Sequence, residues 1–256
     1  MPEALLSAHE VSMSFGGVKA LDSVSLEVRR GEVLAIIGPN GAGKTTLFNI
    51  LSRTFPPTGG EVAFLGHSLG HRHAHEVARL GMARTFQNLQ VFGQMTVLEN
   101  VLVGCHVQGH AGFVAASLRL PFTRREEKAL RERAEEALQR VGLLERAGEL
   151  AANLPVGQQR LLELARALGS TPQLLLLDEP AAGLTTRETA VLSALVLRLR
   201  EELGLTVALI EHDMTLVMGI SDRVAVLNHG QKIADDVPSV VQKDPQVVAA
   251  YLGVGD

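Results

Sequence analysis

A chain of 256 residues, 46% of them hydrophobic, is long enough to bury one large domain or a domain with a subdomain, which excludes a largely disordered protein. Its formal net charge of -4 gives no whole-protein attraction to a polyanion, so nucleic acid is not an expected partner and any bound anion must be held locally. The single cysteine, Cys105, excludes an internal disulfide, lacks the repeated Cys/His spacing of a zinc site, and fits a reducing, cytoplasmic compartment.

The first ten residues carry Glu3, His9 and Glu10 rather than a basic segment followed by an apolar run, so they do not read as a secretory leader. No stretch approaches the roughly 20 apolar residues of a membrane span, so any membrane must be crossed by a partner. Leu5 to Phe15 and Val24 to Ile37 read as strands, with Gly16-Gly17 and Arg30-Gly31 as turns. Val33 to Ile37 is apolar throughout, as a strand buried on both faces should be, and it runs into a glycine-rich loop. A further strand is expected from Glu61 to Leu65, after Pro56-Pro57-Thr58-Gly59-Gly60, suggesting an antiparallel subdomain beside a parallel core. His67, His71, His73 and His75 have spacings that could share a face around a metal, but they read better as polar residues of an exposed connection.

From about Val97 to Asn153 the pattern is helical, most clearly from Arg124 to Val141, where Leu130, Ala134, Ala137, Leu138 and Val141 fall on one face. The charges of that helix read as a solvated face, with a docking surface as the alternative. Strands then alternate with helices, at Leu174 to Leu177, Thr206 to Ile210 and Arg223 to Leu227. Thr185 and Glu188 stand at capping-box spacing, and Asn228-His229-Gly230 reads as a hairpin turn. The expectation is one α/β domain over residues 1–256: a mostly parallel core sheet, an antiparallel β-subdomain and a helical subdomain at about 97–165.

Gly38-Pro39-Asn40-Gly41-Ala42-Gly43-Lys44-Thr45, followed by Thr46, is a complete phosphate-binding loop between a buried strand and a helical run. Its glycines let consecutive N–H groups converge on the β- and γ-phosphates at the positive end of the next helix. Lys44 adds a point charge, and the Thr45 hydroxyl is placed to ligate Mg²⁺. The strand ending in Asp178-Glu179-Pro180 puts two acids at the carboxyl edge of the sheet, where ligands of such folds bind. Asp178 would complete the Mg²⁺ shell, and Glu179 would act as general base on the attacking water. These elements imply a nucleoside triphosphatase and go no further.

Gln87 in Arg84-Thr85-Phe86-Gln87, the segment Asn153-Leu154-Pro155-Val156-Gly157-Gln158-Gln159-Arg160, and His212 in Ile210-Glu211-His212-Asp213 complete an ordered set. That set, spanning nearly the whole chain, resembles the ABC-type ATPases, in which a Q-loop, a signature and a switch histidine occur in this order. The resemblance implies a dimer in which the signature, here Leu154, Pro155, Val156, Gly157 and Gln158, closes over ATP held by the other subunit. It implies that Gln87 links the γ-phosphate and Mg²⁺ to the helical subdomain, and that His212 holds the γ-phosphate and the attacking water. Phe15 would stack on adenine with Val18 adding an apolar edge, the alternative being a core phenylalanine at a strand end. Ala181-Ala182-Gly183-Leu184-Thr185 stands where the family has its D-loop, with Thr185 in place of the usual Asp.

Ala83-Arg84-Thr85-Phe86-Gln87-Asn88, Gly157-Gln158-Gln159-Arg160, Glu211 to Met214, Met218 to Asp222 and Ala250-Tyr251-Leu252-Gly253 resemble the ATPase subunits of branched-chain amino-acid importers. This implies membrane-spanning permeases, a second ATPase, an external solute-binding protein and a peripheral position on the cytoplasmic face of the cell membrane. A lipid or lipopolysaccharide transporter shares every phosphate-handling residue, and an ABC ATPase working without a permease is the other alternative. Position 155 usually holds a serine whose hydroxyl reaches the partner's γ-phosphate, whereas Pro155 has neither hydroxyl nor N–H. A helix starting at Pro155 keeps its positive end but loses donors, so the ATP site it completes is expected to be the weaker of two.

Overall fold

A computed structural model describes residues 3–108 and 121–252 of the chain. Residues 109–120 of the expected helical region, Met1, Pro2 and residues 253–256 lie outside the described residues.

Strand β3 (Val33–Ile37) is buried along its whole length, as its unbroken apolar sequence requires. It lies inside a six-stranded sheet with β6 (Met82–Arg84), β7 (Leu174–Asp178), β8 (Thr206–Ile210), β9 (Arg223–Asn228) and β10 (Gln231–Asp236), ordered β10-β9-β3-β8-β7-β6. Each pairing from β9 through β6 is parallel, and β10 returns antiparallel at one edge. Alternate residues feed two cores. Val33, Ala35, Ile37, Leu175, Leu177, Val207 and Leu209 enter one; Leu34, Ile36, Leu174, Leu176, Ala208 and Ile210 enter the other.

The second core is closed by helix α1 (Lys44–Leu51) and by an antiparallel sheet of β1 (Ala4–Phe15), β2 (Val18–Arg29), β4 (Gly59–Phe64) and β5 (His67–Ser68), ordered β2-β1-β4-β5. β2 begins at Val18, six residues before the expected Val24, directly after the Gly16-Gly17 turn. Its first half hides from periodicity because the pairing with β1 slips register repeatedly and Ser23 sits at φ 51°. β6, three residues at the sheet edge, was too short for the sequence pattern to announce. Between β5 and β6, helix α2 (Ala74–Arg79) is capped by His73, whose backbone N–H donates to Glu76 at 2.8 Å.

The first core continues into helices α3 (Val97–Cys105), α4 (Pro121–Val141) and α5 (Val156–Gly169). All five apolar residues expected on one face of α4 are buried. Thr96 and Glu99 form a reciprocal capping box at the start of α3. Between α4 and α5 the chain makes only single 3₁₀ turns, since Gly142 leaves α4 at φ 76°. Helix α5 begins at Val156, one residue later than expected, because Pro155 has an extended ψ of 153° and serves as the N-cap.

Thr185 caps helix α6 (Thr186–Leu203) through the expected box with Glu188. Asp213 caps α7 (Met214–Ile220), accepting from the N–H groups of Thr215 and Leu216. His229-Gly230, both at positive φ, make the β9–β10 turn, and α8 (Pro238–Val241) and α9 (Pro245–Leu252) end the described chain. No helix among the described residues is long and apolar enough to cross a membrane.

Candidate nucleotide site

The phosphate loop leaves β3 at Gly38 and enters α1 at Lys44. Two of its glycines are required by their surroundings as well as by their dihedrals. A Cβ on Gly38 would lie 2.1 Å from the Leu227 carbonyl oxygen, and one on Gly43 would lie 2.6 Å from that of Ala20. Gly43 is the N-cap of α1 at φ 100° and offers no side-chain acceptor, so the first N–H groups of the helix are left to an anion. Lys44 arches back, its Nζ donating to the carbonyls of Gly38 at 2.7 Å and Pro39 at 2.9 Å. Burial pulls its ammonium below the ordinary lysine value, against the opposing pull of the Glu179 and Asp178 carboxylates. Asn40, Gly41 and Thr45 are exposed, Ala42 is buried and Thr46 is half-buried. Burial raises the Tyr251 phenol, against the opposing pull of the Gly38 backbone.

Asp178 closes β7 at 2% exposure. Its Oδ2 accepts from Arg84 at 2.8 Å, while its Oδ1 is buried with no partner. Arg84 also donates to Asn49 of α1 and to Ser52, the residue that ends that helix, and lies against the rings of Phe48 and Phe86. One carboxylate oxygen is therefore committed to an arginine and the other is open to a cation. With the Thr45 hydroxyl and the Gln87 amide, the donors fit Mg²⁺, which prefers oxygen.

Glu179, next in line, stands at φ 47°, a left-handed conformation uncommon for a residue with a side chain. Its backbone N–H donates to Ile210 O, and its Oε2 accepts from Gln87 Nε2 at 2.9 Å. His212 Nδ1 lies 3.9 Å from the same Oε2. Lys44, Gln87, Asp178, Glu179 and His212 are thus gathered at one sheet edge, although they span most of the chain. Behind them Glu211, 1% exposed, accepts from the N–H groups of Ala181, His212 and Asp213. Sequence reasoning assigned no role to Arg84 or to Glu211. A charged residue inside an otherwise apolar strand edge was the only available signal for the first.

Phe15 and Val18 flank the Gly16-Gly17 turn and are 48% and 70% exposed; Phe15 is not a core residue. Its ring meets Phe55 edge to face at 5.8 Å between centroids. At the other rim, Pro155 and Val156 are exposed, Leu154 is buried, and the Gln158 amide oxygen accepts from Arg146. Gly157 is crowded, since a Cβ there would lie 2.4 Å from Glu188 Oε1. The four histidines between 67 and 75 do not form a cluster of three or more candidate ligands; no such cluster of His, Cys, Asp or Glu occurs among the described residues.

Comparison with known proteins agrees with this geometry. A family model for ABC transporters matches residues 21–182, and one for branched-chain amino acid ATP-binding cassette transporters matches residues 231–256. The chain is 46% identical to the high-affinity branched-chain amino acid transport ATP-binding protein LivG of Salmonella typhimurium, over 99% of both chains. It superposes on an ATP-binding cassette of an ABC transporter in its ADP conformation with a TM-score of 0.86 at 33% identity, covering 98% of this chain and 99% of that one. A dimeric cassette in a post-hydrolysis state bound to ADP and Pi gives 0.76 at 27% identity, covering 91% and 98%. The sheet, the phosphate loop and the full-length identity together make this chain a member of the ABC transporter family, as one of its ATP-binding, ATP-hydrolysing subunits.

Proposed function

We propose that the chain energises import of branched-chain amino acids from the cytoplasmic face of the cell membrane, as one of two ATPases bound to membrane-spanning permeases and served by an external solute-binding protein. The observation that carries the solute class is the identity to LivG over 99% of both chains, reinforced by the branched-chain match at residues 231–256, outside the phosphate-handling residues. Phosphate chemistry alone cannot distinguish transported solutes.

In this reading Phe15 stacks on adenine, Val18 borders it, and the N–H groups from Gly38 to Thr46 cradle the phosphates with Lys44. Thr45, Asp178 and Gln87 would hold Mg²⁺, which when bound neutralises charge on the β- and γ-phosphates. Glu179 takes the proton of the attacking water at a carboxylate oxygen, while Gln87 and His212 hold that carboxylate and the water in line. Glu211 keeps His212 and the Ala181 turn in register through three backbone N–H bonds. The segment Leu154 to Gln158, exposed at Pro155 and Val156, acts on the nucleotide of the second ATPase. A groove of about 760 Å³ beside the Gln87 segment, lined by Ala78, Phe86, Phe92, Val103, Val107 and Arg166, receives a cytoplasmic segment of the permease.

Reconstitution with the permeases in proteoliposomes tests the solute class. Leucine delivered by its binding protein should stimulate ATP turnover while lipid and lipopolysaccharide do not. Stimulation by a lipid, with none by leucine, would replace this reading.

A further inference from the structure

Glu163 takes part in no step described above, yet it is the most enclosed charge of α5, only 3% exposed. Burial pushes its carboxyl up, against the pull of the Gln90 N–H and of two arginines. Those arginines, Arg160 and Arg166, lie one turn away on either side, so all three side chains share one helix face. That face is turned on the segment carrying Gln87. Arg160 donates to the carbonyls of Phe86 at 3.1 Å and Gln87 at 2.7 Å, and Arg166 donates to the carbonyl of Gln90. Glu163 Oε1 accepts from the Gln90 N–H at 2.6 Å, and its Oε2 accepts from Arg160 at 3.3 Å. Arg166 also lies over the ring of Phe92 at 5.4 Å.

Four backbone groups between Phe86 and Gln90 are therefore held by one helix. Within that segment Gln87 points its side-chain amide the other way, into Glu179. Helix α5 begins at the signature, so Gln87, held by Arg160, and Pro155 to Gly157 are carried by the same helix. A buried carboxylate between guanidinium groups resists separation, because breaking it strands charge in a low-dielectric interior.

We propose that Glu163 is a positioning residue which, through Arg160, locks the Gln87 segment to the signature helix. A shift of Gln87 at the chain's own nucleotide is thereby delivered by the signature to the nucleotide of the second ATPase. This rests on the reading that the signature acts on the other subunit.

Glu163→Gln tests it in the full-length chain assembled with its permeases and second ATPase, since glutamine keeps the volume and an acceptor for Gln90 but removes the charge that holds Arg160. Binding of a fluorescent ATP analogue should keep wild-type stoichiometry and a Kd within about twofold, while kcat for ATP falls about tenfold at unchanged KM. Wild-type kcat overturns the proposal. So does a fall in kcat matched by an equal fall in binding stoichiometry, the mark of a merely structural role. Should the variant not assemble, hydrogen exchange in the wild-type transporter decides. Residues 86–90 and 156–163 should gain protection together when Mg²⁺-ATP is added, and protection of one segment without the other overturns the proposal. Failure of leucine to stimulate the wild type would remove the proposed solute and leave these readouts, taken on ATP alone, unaffected.

Discussion

From Gly38 to Thr45 the chain is pinned on every side: Gly38 against Leu227, Gly43 against Ala20, Lys44 onto two carbonyls, and the neighbouring Asp178 onto Arg84. From Leu154 to Val156 nothing comparable holds the chain: Pro155 and Val156 are exposed and, as at Gly43, no side chain caps the helix start. At the first rim the uncapped start of α1 is flanked by this chain's own Lys44, itself fixed on Gly38 and Pro39. The second presents free N–H groups that a folded protein ordinarily satisfies, which is the form expected of a surface completed by another subunit's nucleotide. Substitutions at the pinned rim should therefore act on stability and chemistry in the isolated chain, and those at the open rim only in the assembly.

The hardest test of that contrast is Arg84→Met. Removing the arginine leaves Asp178 buried without its cation, so unfolding by denaturant should show a loss of about 3–5 kcal/mol. A loss below about 1 kcal/mol would mean that the pinned rim does not depend on its internal ion pair. Glu179→Gln comes next: ATP turnover should fall about 10²-fold or more with ATP still bound, and turnover at the wild-type rate would take the general base elsewhere. Phe15→Ala should weaken ATP by about 1–2 kcal/mol in direct titration, since stacking is one contact among many. Unchanged affinity would leave Phe15 with only its Phe55 contact. Pro155→Ser is the smallest. Serine restores a hydroxyl donor for the other subunit's phosphate, so assembled ATPase should rise a few-fold, about 1 kcal/mol, with no change in the ATPase of the isolated chain. Identical rates and identical ATP occupancy at both sites of the transporter would dismiss the weaker-site expectation.

The phosphate loop was legible because it is contiguous: strand, turn and helix follow one another from Val33 to Leu51, and each residue type has a local reason for its place. Asp178, Glu179 and His212 were legible because apolar strands announce where their carboxyl ends must fall. Arg84, Glu163 and Glu211 were not. Their partners lie 94, 73 and 30 residues away in sequence, and nothing local to a strand edge or a helix face marks a charge as destined for burial. The fold shows the same division. α4 was readable from five apolar residues at helical spacing, whereas the first half of β2 was hidden by slipped register and by the positive φ of Ser23.

Glu179 carries one more consequence through its backbone. A left-handed glutamate at the end of a buried strand costs about 1 kcal/mol or more relative to a glycine, which adopts that conformation freely. Selection for thermal tolerance alone would drift toward glycine at this position and silence the ATPase on the way. With Glu179 as the proposed general base, activity opposes the preference of the fold at this position, so a stabilised library of this chain should be screened for turnover before its melting temperatures are trusted.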